Sequence, residues 1–166
     1  PIGGSSVGLA AGTDGVIICK FTAPADLGVI TQLSVYLDAS AAAHMKGVIY
    51  ADDAGSPGAL LATFGEFNQS GSPEWCTSTG SFYASAYANL PIWIGAHSDD
   101  LDMWWYDAGA ANQSKWANDN YADGAANPFA GGTFRPDETS VYATYTPAGA
   151  AGLDVTSKMY LTLGFP

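Results

Sequence analysis

Gly, Pro, Asn and Asp interrupt this chain roughly every ten residues, too often for an amphipathic helix and at the spacing of short strands. No apolar pattern at i, i+3, i+4 is sustained anywhere along it. The clearest run is 29–37. There Val29, Thr31, Leu33, Val35 and Leu37 alternate with Ile30, Gln32, Ser34 and Tyr36, and a period of two sends each set to its own face. Further runs are 16–21, 45–50, 59–63, 75–79, 91–97, 101–106, 140–146 and 158–163. About nine strands with turn chemistry between them predict an all-β fold, a two-layer antiparallel β-sandwich of jelly-roll type with little helix.

The 166 residues predict a single domain that can bury a full sandwich core. Residues 1–12, rich in Gly, Ser and Ala, are expected to form an N-terminal arm, and 153–166 an extra C-terminal strand. The stretch 108–135 is the longest without a strand signal, yet it carries Trp116, Tyr121, Phe129 and Phe134. That is too aromatic for a disordered linker. The sequence starts at Pro1 rather than Met, as a processed or excised chain would.

Charge narrows the partners. Five Lys+Arg stand against sixteen Asp+Glu, a formal net charge of -11, and only 13% of residues are charged. The basic residues Lys20, Lys46, Lys115, Arg135 and Lys158 are scattered, so no patch can neutralise a row of phosphates. Nucleic acid and anionic membrane surfaces are therefore not expected partners. No apolar run reaches the length of about 18 residues that suggests a membrane-spanning helix. Much of the surface must consist of Gly, Ala, Ser, Thr, Asn and Tyr, as on proteins that sit in assemblies or outside cells.

The stretch Val48-Ile49-Tyr50-Ala51-Asp52-Asp53-Ala54-Gly55-Ser56-Pro57-Gly58-Ala59-Leu60-Leu61-Ala62 resembles a hairpin pattern, IY-x-D-x-x-G-x-PG-x-LLA, of bacterial and phage surface modules. The resemblance continues through Trp75, Ile92-Trp93-Ile94-Gly95 and Trp104-Trp105-Tyr106-Asp107 to Val141-Tyr142-Ala143-Thr144-Tyr145. It implies a jelly-roll, carbohydrate-binding-like β-sandwich of the kind found in secreted, phage tail and virion proteins. It says little about the ligand. In the hairpin itself, Asp52 and Asp53 can accept backbone N–H bonds, Gly55 and Gly58 permit positive φ, and Pro57 pre-sets a turn.

Signals for chemistry are thin. His44 and His97 are the only histidines, and neither lies in a nucleophile-elbow context such as G-x-S-x-G. Cys19, His44, Cys76 and His97 are not paired at zinc-ligand spacing. Glu66, Glu74 and Glu138 all fall in expected loops, with nothing to set two of them across a cleft. No catalytic residue is assigned, and the chain is not expected to be an enzyme. Asp99, Asp100 and Asp102 supply the hard oxygens calcium prefers, although a solvated acidic turn has the same composition. Calcium is the one cofactor the sequence suggests. Asn68 and Asn112 head N-x-S sequons. Cys19 and Cys76 would close a loop of about 57 residues if bridged, and the pattern leaves bridged and unbridged states open.

The most informative feature is aromatic. With Leu101, Met103 and Trp105 turned to the core, Asp102, Trp104 and Tyr106 share the opposite face. Trp104, Tyr106 and Asp102, with Trp116 and Tyr121 from the long segment, make a candidate platform. It could stack on sugar rings, anchor a protein interface, or lie under the 108–135 segment as a satellite core. The leading expectation is a non-catalytic structural or adhesive subunit of an extracellular appendage, filament or virion, self-associating or meeting other surface subunits. The alternative is a glycan-binding domain.

Overall fold

The computed structural model describes residues 5–6, 14–37, 44–68, 70, 72–100, 105–108, 111–149 and 157–160. The chain begins with β1 (Ser5–Ser6), β2 (Gly15–Thr22), β3 (Leu27–Leu37), β4 (His44–Asp53) and β5 (Ser56–Asn68). It continues through β6 (Glu74–Tyr83), β7 (Pro91–Ser98), β8 (Trp105–Ala108) and β9 (Ser114–Asn118). The last strands are β10 (Thr133–Arg135), β11 (Asp137–Thr139), β12 (Val141–Pro147) and β13 (Ser157–Tyr160). Two 3-10 turns, Ser85–Tyr87 and Tyr121–Asp123, are the only helical elements among the described residues.

The strands form a six-stranded sheet in the order β10-β9-β2-β7-β4-β5 and a four-stranded sheet in the order β13-β12-β3-β6. Strands β1-β8-β11 form a small third sheet, and every described pairing is antiparallel. The protein is an all-β sandwich. Alternation builds its core: Ile17, Cys19 and Phe21 of β2 and Ile92, Ile94 and Ala96 of β7 face Leu33, Val35 and Leu37 of β3 and Val141, Ala143 and Tyr145 of β12. Ser5 and Ser6, within the expected N-terminal arm, pair with Tyr106 and Trp105 of the same chain. Ser157–Tyr160 adds the C-terminal strand at the margin of the four-stranded sheet.

Two expectations need correction. The alternation of β3 does not run unbroken: Ile30, not Val29, joins Leu33, Val35 and Leu37 in the core. The ladder slips at this point, since Gln32 lies opposite Thr144 but Ile30 lies opposite Tyr145. An extra residue on one strand of a pair reverses the facing of everything beyond it. The segment 108–135 also contains strands, β9 and β10, and β9 pairs directly with β2 inside the large sheet. With Ser114 and Ala117 buried but Lys115 and Trp116 only partly so, β9 shows no period of two to read.

Within the six-stranded sheet, β2 and β7 approach closely at one point. A Cβ at Gly95 would collide with the Ile17 carbonyl of the neighbouring β2, so only glycine fits that row. At the β4–β5 hairpin, Ala54 and Gly55 take positive φ of 50° and 92°, the pattern of a two-residue hairpin turn. Asp52 Oδ2 accepts the Gly55 N–H at 2.9 Å, while Pro57 and Gly58 already belong to β5.

Candidate functional site

The two sheets present very different outer faces. On the six-stranded sheet, Val16 and Ile18 of β2, Val48 and Tyr50 of β4, Trp93 of β7 and Ala117 of β9 form a second buried apolar cluster. The segment 119–132 covers it. Phe129 from this cap meets the Tyr50 ring edge-on at 5.3 Å, and Phe134 lies 6.2 Å from Trp93. Strands buried on both faces read as near-continuous apolar runs. Val16-Ile17-Ile18-Cys19, Val48-Ile49-Tyr50 and Ile92-Trp93-Ile94 are such runs, and they are the sequence signal for the cap.

Hydrogen bonds pin the cap along its length. Tyr121 N donates to Asp14 Oδ2 (2.9 Å), Ala126 N to Asp119 Oδ2 (2.8 Å), and Phe129 N to Gly58 O (2.9 Å). Tyr50 Oη donates to the Ala126 carbonyl at 3.1 Å, and Leu60 N to Asn127 Oδ1 at 3.1 Å. Tyr121 Oη donates to Glu66 at 2.8 Å, with Lys46 Nζ 4.5 Å from its ring centre. Buried His97 donates from Nε2 to the Asp119 carbonyl at 3.1 Å. Burial, then the Asp119 charge, pushes the Tyr50 phenol up; burial, then Glu66, does the same for Tyr121. Beneath the cap, Asp52 accepts from the Trp93 indole at 2.8 Å and pairs with Lys20 at 3.1 Å. Burial raises the Asp52 carboxyl, but the bonds from Gly55, Trp93 and Lys20 outweigh it and hold it below its ordinary value.

The outer face of the four-stranded sheet is built from aromatic rings and hydroxyls. In β6, Cys76 and Ser78 are buried while Trp75, Thr77, Thr79, Ser81 and Tyr83 are exposed. Register carries the pattern across the sheet: Tyr36 lies opposite Trp75, Ser34 opposite Thr77, and Gln32 opposite Thr79. On the other side of β3, Tyr142 faces Ser34 and Thr144 faces Gln32. Trp75 therefore sits between two tyrosines. Its ring centre is 5.5 Å from Tyr36 at an interplanar angle of 65°, and 4.8 Å from Tyr142 at 59°. Ser34 and Thr77 share a hydroxyl–hydroxyl bond of 2.9 Å beside them. Glu74 and Lys158 are the only charged residues in the four strands, and Lys158 Nζ lies 4.7 Å from the Tyr142 ring centre.

Of the residues singled out by sequence, Asp102 and Trp104 lie outside the described residues. Tyr106 stands in β8, opposite Ser5 and Thr139. Trp116 packs half-buried against the core between the sheets, and Tyr121 fastens the cap. Both Asp99 carboxylate oxygens are taken by His44, through its N–H (2.8 Å) and Nδ1 (2.7 Å), and Asp100 N bonds to Ser98 Oγ (3.0 Å). Among the described residues, no three His, Cys, Asp or Glu side chains gather as a metal site would require. Asn68 and Asn112 are exposed, the latter with φ of 62°. Cys19 and Cys76 are both buried and unbridged: Cys19, in the six-stranded sheet, accepts from Thr139 N at 3.2 Å, and Cys76 lies in the four-stranded sheet. Burial, then the Glu74 charge, pushes the Cys76 thiol up to about 11.

The group Tyr36, Trp75 and Tyr142 was not singled out by sequence. Each strand's alternation already turned these rings away from the core, but only register places them side by side. Compared with known protein families, curated proteins and solved structures, the chain matches none.

Proposed function

We propose that this protein is a non-catalytic binding module of a cell or virion surface, and that it holds carbohydrate on the outer face of its four-stranded sheet. The observation that carries the reading is the Tyr36–Trp75–Tyr142 group beside the exposed Thr77 and Thr79 and the half-buried Gln32, on strands almost without charge. Sugar rings have apolar C–H faces that stack on aromatic rings, and hydroxyls that need neutral donors and acceptors. This face offers both. A protein subunit is the competing occupant, since Trp and Tyr are enriched at interfaces.

Trp75→Ala separates the two. Flat stacking contacts are worth ~1–3 kcal/mol in the comparable case of bases on aromatic side chains. Retention on a panel of immobilised polysaccharides should fall by about ten-fold or more. The sedimentation coefficient should not change. Unaltered retention with loss of oligomers would overturn the glycan reading and favour a subunit contact.

A further inference from the structure

We infer that the glycan is a single, uncharged polysaccharide chain lying lengthwise along β6, and neither a crystalline polysaccharide surface nor an acidic polymer. This rests on the carbohydrate reading above and deepens it. The tilt of the rings is the first argument. Trp75 is inclined by 65° to Tyr36 and by 59° to Tyr142. A crystalline surface presents its sugar rings in one plane, so it can lie flat on one of these rings at a time. A single chain turns between successive sugars and can meet the tilted Trp75 ring on β6, where the Tyr36–Trp75–Tyr142 group crosses from β3 to β12, without having to lie flat elsewhere.

Charge is the second argument. The chain carries a net charge of -11, so a polyanion is repelled at long range. The face could answer a carboxylate or sulfate only with Lys158, whereas acidic polymers are held by clustered Arg or Lys.

Length is the third. Outward residues of β6 continue from Trp75 through Thr77, Thr79 and Ser81 to Tyr83, which is 80% exposed. The eight steps from Trp75 to Tyr83 span roughly 26 Å at the usual rise, enough for several sugars. Tyr83 thus stands as a second stacking point at the far end of the track, reached only by a long chain.

The test uses the full chain and three classes of probe. These are neutral soluble oligosaccharides of increasing length (gluco-, xylo- and manno-series), an acidic polymer such as hyaluronan, and microcrystalline cellulose and chitin. For a neutral series, affinity should climb with length and then level off. Tyr83→Ala should lower affinity for the longest members by about tenfold and leave the shortest unchanged. Trp75→Ala should weaken both. An unchanged melting temperature of Tyr83→Ala shows that the fold is intact, as its exposure requires. Stronger retention on the powders or on hyaluronan overturns the inference while sparing the carbohydrate reading, as does binding independent of length. Failure of all three classes to bind overturns the carbohydrate reading itself.

Discussion

On the six-stranded sheet the outward side chains of β2, β4 and β7 include Val16, Ile18, Val48, Tyr50 and Trp93. On the four-stranded sheet those of β3, β6 and β12 include Ser34, Tyr36, Trp75, Thr77, Thr79 and Tyr142. Both sheets feed the same core from their inner faces, so the difference lies wholly in the other half of each alternation. An outward set of Val, Ile and Trp must be covered, because apolar surface left in water costs about 25 cal/mol per Å². The chain meets that demand with its own segment 119–132. An outward set of hydroxyls and half-buried rings makes no such demand. One sequence thus covers one outer face with its own chain and, among the described residues, leaves Trp75, Thr77, Thr79 and Tyr83 of the other exposed.

The sharpest way to break this comparison is to truncate one aromatic on each face. Trp93→Ala removes a fully buried ring beneath the cap and leaves the Asp52 carboxylate without its indole partner. It should cost ~3–5 kcal/mol in denaturant unfolding, as core aromatics do. Tyr83→Ala on the open face should stay within about 0.5 kcal/mol of the parent. Equal losses would mean that the two faces are not different in kind.

Alkaline pH gives a smaller effect of the same sense. Tyr50 and Tyr121, both fastened to the cap, hold their protons in the fold to a higher pH than in the unfolded chain. Their contribution is fully present below the ordinary tyrosine value near ~10, and is lost as pH rises through the folded values. Unfolding free energy measured above about pH 10 should therefore decline, and the Tyr50→Phe/Tyr121→Phe variant should decline less steeply. Parallel curves for the two proteins would place the alkaline loss outside the cap.

The smallest effect sits at the polar margin of the capped face. His44 is raised by its hydrogen bond to Asp99 and by the Asp99 charge, with Glu66 adding to it. That pairing is present below the ordinary histidine range and fades as pH climbs through the raised value. Asp99→Asn should return the His44 titration, followed by NMR, to about 6.5 and leave the melting temperature where it was. A His44 titration unmoved by the substitution would put the cause elsewhere.

What the sequence disclosed follows from which interactions are local. The alternation of Leu33, Val35 and Leu37 against Ser34 and Tyr36 is a property of one strand, so the sandwich was legible. The reversal at Thr31 was not, because it is imposed by the register with Thr144 and Tyr145, more than a hundred residues away. The cap was legible only as one alternative, a cover for Trp104 and Tyr106, whereas the residues it covers are Val16, Ile18, Val48, Tyr50 and Trp93. Its own residues, Asn118 to Asp123, look like a polar turn, and Asn120 does cap that turn by accepting from Ala122 N. The sign of a covering segment lay elsewhere, in the unbroken apolar runs of β2, β4 and β7. For the candidate site, alternation put Tyr36 and Trp75 outward, but neighbourhood across strands is a matter of pairing. Sequence alone points instead to Trp104 and Tyr106, where two aromatics are visible on one face of a single strand.

The anchoring of the cap also bears on how the chain comes to be made. Tyr121 N reaches back 107 residues to Asp14, and Tyr50 Oη reaches forward 76 residues to Ala126. A ribosome delivers Val16, Val48, Tyr50 and Trp93 well before it delivers Phe129, so the emerging sheet carries a bare apolar face for that interval. At ~5–20 residues per second, the wait from Trp93 to Phe129 is a few seconds. During those seconds two nascent copies are sticky towards each other through this face, and a chaperone that binds apolar surface has a defined window in which to act. Once Phe129 settles on Tyr50, the window closes.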